Sequence, residues 1–327
     1  MSIKPQLMIL LGAIVVGVIG IGAAFLLSRP SSEKGTIFGK IEKPDVDSII
    51  RLQSKILSAD FKNNDKIPKT GAVYKLNESE ISNEKAVEMA AKLGFISRPS
   101  GIQTITWAGK NNTLTIDRVR RTLELKFLKV KSLKGNFQVD KLAETAVKFL
   151  EKNGFSTDNL AANTTKVRLF QVAGDELEIV EKTTNPVFIE IPFNRKLGNH
   201  YLFSPDPTSP AAVVILNSKG QVFRVYYKFA DINKTTVGTY PLVDIKKLEP
   251  EKIVRFGSLV YPPSGRGVFE PKLIKTVAIE DFFLAYLDDY SGEFIQPIYV
   301  LRGYGSVGTE NISVVVYYPA IEEKWLK

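Results

Sequence analysis

The sequence predicts an α+β protein: an N-terminal transmembrane helix followed by two or three modules, each a helix with an antiparallel sheet. Three observations point there. Residues Leu7–Leu27 read LMILLGAIVVGVIGIGAAFLL, 21 positions without a charge. Beyond them, a helix-period segment followed by period-two segments recurs three times. The apolar share is 44%, ordinary for a chain that folds around cores.

At the helical rise the apolar run extends roughly 31 Å, enough for a bilayer core. A cleavable signal peptide is the rival reading, with Gly22 and Ala24 as small cleavage-site residues. The apolar region of such peptides usually stops after roughly 7–15 residues, which favours the anchor. Lys4 precedes the run, whereas Arg29, Lys34, Lys40 and Lys43 follow it. Local charge would keep the following part inside, but large domains cross regardless of charge, so charge alone does not orient the chain. Ala13, Gly17, Gly20 and Ala24 fall on one helix face, a ridge of small residues against which another helix can pack. Gly and Ala are also simply frequent in spans.

The expected organisation is a short tail (1–6), the anchor (7–27), and a tether with a membrane-proximal helix (28–66). A first α+β module (67–135), a strand-rich second (136–243) and a third (244–327) follow. In the tether region, Val46, Ile49, Ile50, Leu52, Ile56 and Leu57 keep near-helical spacing, predicting a helix over Pro44–Leu57. Ser82–Phe95 reads as a helix capped by Ser82 and stopped at Gly94, with Ala86, Val87, Ala90 and Leu93 inward. QTITWAG and TLTIDRV are strands joined through Lys110-Asn111-Asn112. Val139–Phe155 repeats the helix, with Leu142, Ala146, Phe149 and Leu150 inward and Asn153-Gly154 as the stop. KVRLFQVA, ELEIVEK, PVFIEIPF, AAVVILN and QVFRVYYKF are strands, the last two joined by Ser218-Lys219-Gly220. Lys275–Tyr290 predicts a third helix with Val277, Phe282, Ala285 and Tyr286 along one side, and Glu293–Glu323 predicts a closing hairpin.

Two stretches carry a family likeness. AAVVILNSKGQVFRVYYKF resembles the strand–turn–strand of a PepSY-type module. FIQPIYVLRGYG with ISVVVYYPAI is similar to the closing hairpin of membrane-anchored YycH/YycI-like regulators of Gram-positive bacteria. The matching positions are Gln296, Pro297, Tyr299 and Gly303, then Tyr318, Pro319 and Ala320. The likeness covers Ala211–Phe229 and Lys275–Glu323, about a quarter of the chain. It implies PepSY/YycI-like folds, an extracytoplasmic domain, contact with or inhibition of a partner protein, and no catalytic residues. The residues themselves read structurally: Pro297 starts or edges a strand, and Gly303, Gly305 and Gly308 permit tight backbone.

Chemistry is sparse. No cysteine occurs, which excludes disulfides, thiolate catalysis and Cys-based zinc sites. Ser82-Asn-Glu-Lys85 matches S-x-x-K and Lys69-Thr-Gly71 matches K-T-G, but their order is wrong for serine penicillin-binding enzymes. His200 is the only histidine, too few for a multi-His metal site. Glu280, Asp281, Asp288 and Asp289 read as the solvated face of the third helix. Gly265-Arg266-Gly267 sets Arg266 on a flexible loop, a candidate anion or partner contact, although a structural Pro/Gly loop between modules is the favoured reading. The net charge is +9, spread along the chain, with its densest patch at Asp117–Gly135 and no stacking-plus-basic motif for nucleic acid. No cofactor is called for. The expected function is a non-catalytic, membrane-anchored extracytoplasmic binding or regulatory protein contacting an envelope or membrane protein. The alternative is a structural envelope component held to anionic wall polymer or lipid by its basic surface.

Overall fold

The computed structural model describes residues 39–44, 55–59, 67–77, 80–97, 99–174, 176–181, 185–230, 232–261, 274–289 and 293–327. The expected span Leu7–Leu27, its ridge Ala13, Gly17, Gly20 and Ala24, and Arg266 lie outside them. Residues from Phe38 onward make one compact unit.

In chain order the strands and helices are β1 (Lys55–Ala59), β2 (Thr70–Leu76), α1 (Asn83–Lys92), β3 (Thr104–Ala108), β4 (Asn112–Asp117) and β5 (Thr122–Phe127). Then come α2 (Val139–Lys152), β6 (Leu160–Ala162), β7 (Arg168–Ala173), β8 (Glu176–Val180), β9 (Phe188–Leu197) and β10 (His200–Phe203). The remainder is β11 (Ala212–Asn217), β12 (Val222–Lys228), β13 (Ile232–Pro241), α3 (Pro250–Phe256), β14 (Ser258–Tyr261), β15 (Thr276–Leu287), β16 (Phe294–Val307) and β17 (Glu310–Pro319).

The first core lies under two helices. β3, β4, β5, β12, β11 and β9 pair antiparallel in that order. Ala86 and Ala90 of α1 and Leu142, Ala146 and Leu150 of α2 pack into one cluster with Trp107, Leu114, Ile191, Phe193 and Val225 from the strands. Ser82 caps α1 by accepting the Lys85 N–H at 3.2 Å. Gly94 and Gly154 end the helices at φ +84° and +78°, a left-handed turn that glycine adopts without a Cβ clash. That turn sends Phe95 and Phe155 back onto their helices, their N–H groups bonding Ala90 O and Leu150 O.

The second core belongs to the last strands. β15, β16, β17 and β14 pair antiparallel, and β2 pairs with β13 and with Phe294-Ile295 of β16. Val73, Tyr240, Val277, Ile279, Phe282, Tyr299, Leu301 and Val316 fill it. β10 joins the halves, running antiparallel to β9 and parallel to the end of β15. The result is one mixed sheet of seventeen strands carrying three helices among the described residues.

This corrects the expected fold class. The chain does not build separate helix-plus-sheet modules, because β2, from early in the chain, completes the last core while β10 fuses both sheets. Among the described residues no helix is long and apolar enough to cross a membrane, and the anticipated span Leu7–Leu27 lies outside them. Of the predicted helix Pro44–Leu57, residues 45–54 lie outside the described ones, and Lys55–Ala59 is a strand, paired parallel with Thr276–Ile279.

The third predicted helix is also a strand. In β15, Val277 and Ile279 face the second core, a bulge falls between Ile279 and Asp281, and Phe282 and Leu284 resume the same face. One inserted residue makes a period of two imitate helical spacing. Its Thr, Val, Ile and aromatic content suits the pleat, and full pairing with β16 decides the matter. Gly303 lies opposite the bulge; a Cβ there would sit 1.9 Å from the Ala278 carbonyl oxygen.

Asp288, expected on a solvated helix face, is instead only 1% exposed at the end of β15. Arg121 Nη2 donates to Asp288 Oδ1 at 2.5 Å and Lys228 Nζ lies 3.3 Å from Oδ2. Arg121 belongs to the β4–β5 turn and Lys228 ends β12, so this ion trio pins the first sheet to the second. Arg121 has φ 54°, a left-handed conformation costing a non-glycine residue roughly 1–2 kcal/mol. Burial lowers the Lys228 ammonium to about 8, Arg121 and Arg195 push the same way, and Asp288 opposes them.

Removing one member of a buried pair leaves uncompensated charge, so Asp288→Ala should destabilise the chain by about 3–5 kcal/mol in urea unfolding. Glu293→Ala, which breaks an exposed pair with Lys75, should change it by less than about 0.5 kcal/mol. Gly303→Ala should cost about 1–3 kcal/mol through overpacking at the bulge. Because the folded Lys228 value lies below its ordinary 10.5, the unfolded chain binds more protons between the two values. The Lys228 contribution therefore makes stability rise with pH from about 8 toward 10 in denaturant melts, and Lys228→Met should flatten that rise.

Candidate functional site

Of the concave surfaces among the described residues, a groove of about 550 Å³ stands out for its chemistry. Tyr318 and Pro319 at the end of β17, Ile321 and Leu326 supply its apolar surface, and Phe256 at the end of α3 closes one side. Lys40, Lys43, Lys324 and Lys327 line it together with a single acid, Glu323.

Backbone pairing builds this site from distant parts of the chain. Ile41 bridges Leu326, with Ile41 N–H bonding Trp325 O at 3.0 Å and Lys327 N–H bonding Ile41 O at 2.9 Å. This holds Lys40 and Lys43 beside Lys324 and Lys327. Pro250 stands in the first turn of α3, where its missing N–H is no loss, and Gly257 ends that helix with its N–H on Ile253 O. Phe256 thus reaches the groove, with Lys43 Nζ 5.5 Å and the Arg255 guanidinium 5.0 Å from its ring centre.

The rim is not uniformly positive. Lys324 pairs with Glu322 at 2.6 Å and Lys327 with Glu42 at 2.9 Å. These pairs are largely exposed and therefore weak, so a ligand carboxylate can compete for either ammonium. Burial pushes the Tyr318 phenol up to about 12, with Glu323 adding to the shift, so Tyr318 stays a neutral hydroxyl at neutral pH.

The motif residues divide between this groove and its support. Gln296 is buried and donates Nε2–H to Glu42 O at 2.9 Å, fixing the segment that carries Lys43. The Pro297 carbonyl accepts from Ala320 N–H at 3.2 Å. Pro297 also packs so tightly on Gly71 that a Cβ there would lie 3.1 Å from its ring. Tyr299 is fully buried, donates to Val243 O at 2.7 Å, and has its phenol pushed upward by burial and by Asp244. Ala320 is fully buried. Only Tyr318 and Pro319 face the groove, and Gly303 serves the bulge.

Other candidates resolve structurally. Ser82 is the α1 cap. His200 opens β10 and its Nδ1 lies 3.2 Å from Leu284 O. Asp281 pairs with Arg302 across the sheet. Among the described residues no group of three or more acids or histidines is placed to hold a metal ion. Sequence reasoning missed the groove lysines and Phe256, because the three segments that carry them, at Lys40–Lys43, Phe256 and Lys324–Lys327, lie far apart along the chain. The available signal was the alternation of charge and apolar residues in Ile321–Lys327. The chain matches no protein-family model and no curated protein sequence.

Tyr299→Phe removes the donor to the half-buried Val243 carbonyl, an expected loss of about 0.5–1.5 kcal/mol in thermal unfolding. Tyr318→Phe should leave stability within about 1 kcal/mol while changing the groove surface.

Proposed function

We propose that this chain is a non-catalytic binding or regulatory protein that contacts a protein partner of the cell envelope. The groove lined by four lysines carries this reading, because it combines an apolar floor with several cations at the end of β17. Its occupant is an acidic partner segment that also carries aromatic side chains. Carboxylates answer the lysines, and an aromatic ring answers Phe256 and Tyr318. The likeness of Lys275–Glu323 to YycI-type regulators supports a partner-binding role and an extracytoplasmic position.

The probe is a random copolymer of glutamate and tyrosine, its binding to the full chain read by fluorescence anisotropy. Binding should weaken at least tenfold when Lys40, Lys43, Lys324 and Lys327 are all replaced by Glu, and should fall as salt rises. Cross-linking in the producing cells should then give one stoichiometric protein adduct that the quadruple variant loses. Equal copolymer binding by parent and variant would overturn the groove as the contact. Salt-sensitive sedimentation with wall polymer, without a protein adduct, would favour the structural envelope role instead.

A further inference from the structure

Strands β7 and β8 form a hairpin at the edge of the first sheet, and its charge runs against that of the chain. Leu169–Glu181 reads LFQVAGDELEIVE, four acids without a lysine or arginine, in a protein of net charge +9. β7 is held to β9 only through Arg168–Phe170, so the rest of the hairpin runs on beyond that pairing. Among the described residues β8 pairs with β7 alone.

The register sorts its side chains. Val172 lies opposite Leu177 and Phe170 opposite Ile179, so these four share one face. Phe170 and Leu177 pack on Val187 and Val213, whereas Val172 is 46% and Ile179 59% exposed. Glu176 and Glu178 are exposed on the other face. Gln171 Nε2 donates to Glu178 Oε2 at 2.8 Å, and a neutral amide is a weaker partner for a carboxylate than an ammonium is.

The lysine groove presents the complement: Phe256, Tyr318, Ile321 and Leu326 beside four ammonium groups. No hairpin residue lines the groove of its own chain. A contact between the two surfaces therefore needs two copies.

We propose that the β7–β8 hairpin of one copy docks in the lysine groove of a second copy. Entering edge-on, it sets Val172 and Ile179 against the apolar wall and Glu176 and Glu178 against the lysines. The carboxylates replace the exposed pairs of Lys324 with Glu322 and of Lys327 with Glu42, which are weak. Because the two surfaces are different patches, the contact is head-to-tail and leaves a hairpin and a groove open at the ends. This rests on the groove being the binding site proposed above, and it regulates that site. A groove holding a neighbour's hairpin cannot take a partner segment, so self-association and partner binding exclude each other.

The test uses the full chain in non-ionic detergent, since Leu7–Leu27 is apolar. Unlabelled and nitrogen-15-labelled copies are mixed and treated with a carbodiimide, which joins carboxylates to amines in contact. Mass spectrometry should find Glu176 or Glu178 joined to a groove lysine with mixed labels. In sedimentation velocity the parent should grow with concentration up to about 1 mM. Glu176→Gln with Glu178→Gln should weaken that growth at least tenfold, as should replacing the four groove lysines by Glu. Mixed together, these two variants should associate again but stop at a one-to-one dimer, because each supplies the half the other lacks. The glutamate–tyrosine copolymer should disperse the parent's assemblies. A parent that stays monomeric, cross-links confined to single copies or to other surfaces, or a failed rescue would overturn the proposal. The hairpin variant keeps its groove, so its undiminished copolymer binding alongside any of these results would leave the groove reading standing. Equal copolymer binding by the parent and the lysine variant would remove that reading, and this proposal with it.

Discussion

Asp288 sits where two separately built cores meet, and its carboxylate is reached by Arg121 from one sheet and Lys228 from the same sheet's next strand. A carboxylate 1% exposed cannot stay charged without such partners, and those cations cannot stay buried without it. The constraint therefore acts in both directions. It fixes the end of β15 against the β4–β5 turn, and it holds Arg121 in a left-handed conformation that its own backbone would not choose. Apolar packing supplies the bulk of folding free energy, but it is tolerant of small displacements. The ion trio is not. A shift of one residue in the register of β12 with β5 or of β15 with β16 would strand a charge inside the protein.

The bulge in β15 is the second place where position matters more than composition. It lets one long strand present Val277, Ile279, Phe282 and Leu284 to the second core although the alternation is broken midway. The opposing Gly303 provides the space, since its missing Cβ is where the Ala278 carbonyl approaches. Beyond the bulge the strand continues to Ala285 and Leu287, which pack on the other face with Ile298, Val300 and Tyr317. That continuation delivers Asp288 to the seam. The bulge and the ion trio thus belong to one structural solution, in which local backbone irregularity aligns a distant charge.

The motif near the end of the chain acquires meaning in the same way. Gln296, Pro297, Tyr299 and Ala320 are buried and hold strands and segments together, with hydrogen bonds to Glu42, Val243 and Pro297 carbonyls. They stabilise the walls on which the lysine groove stands. Tyr318 and Pro319 then form part of its surface. Buried, hydrogen-bonded supports of this kind hold the groove's surface in one arrangement, which lowers the ordering cost of any contact made there.

By itself the sequence determined the helix ends and hairpins that depend on near neighbours. Ser82, Gly94, Asn153 and Gly154 mark helix ends because caps and left-handed stops depend on neighbours a few residues away. The strands of the β3–β4 and β11–β12 hairpins, and the closing hairpin, were legible for the same reason, through alternation and turn residues. The helical reading of Lys275–Tyr290 failed because a bulge mimics helical period, and only pairing with β16 distinguishes the two. That Asp288 is buried, that β2 joins the last sheet, and that Lys40 and Lys43 meet Lys324 and Lys327 were decided by the tertiary structure alone. Each joins residues tens to hundreds of positions apart, and no local propensity encodes such a meeting: long-range pairing is set by which complete arrangement buries the apolar faces while leaving every buried charge a partner.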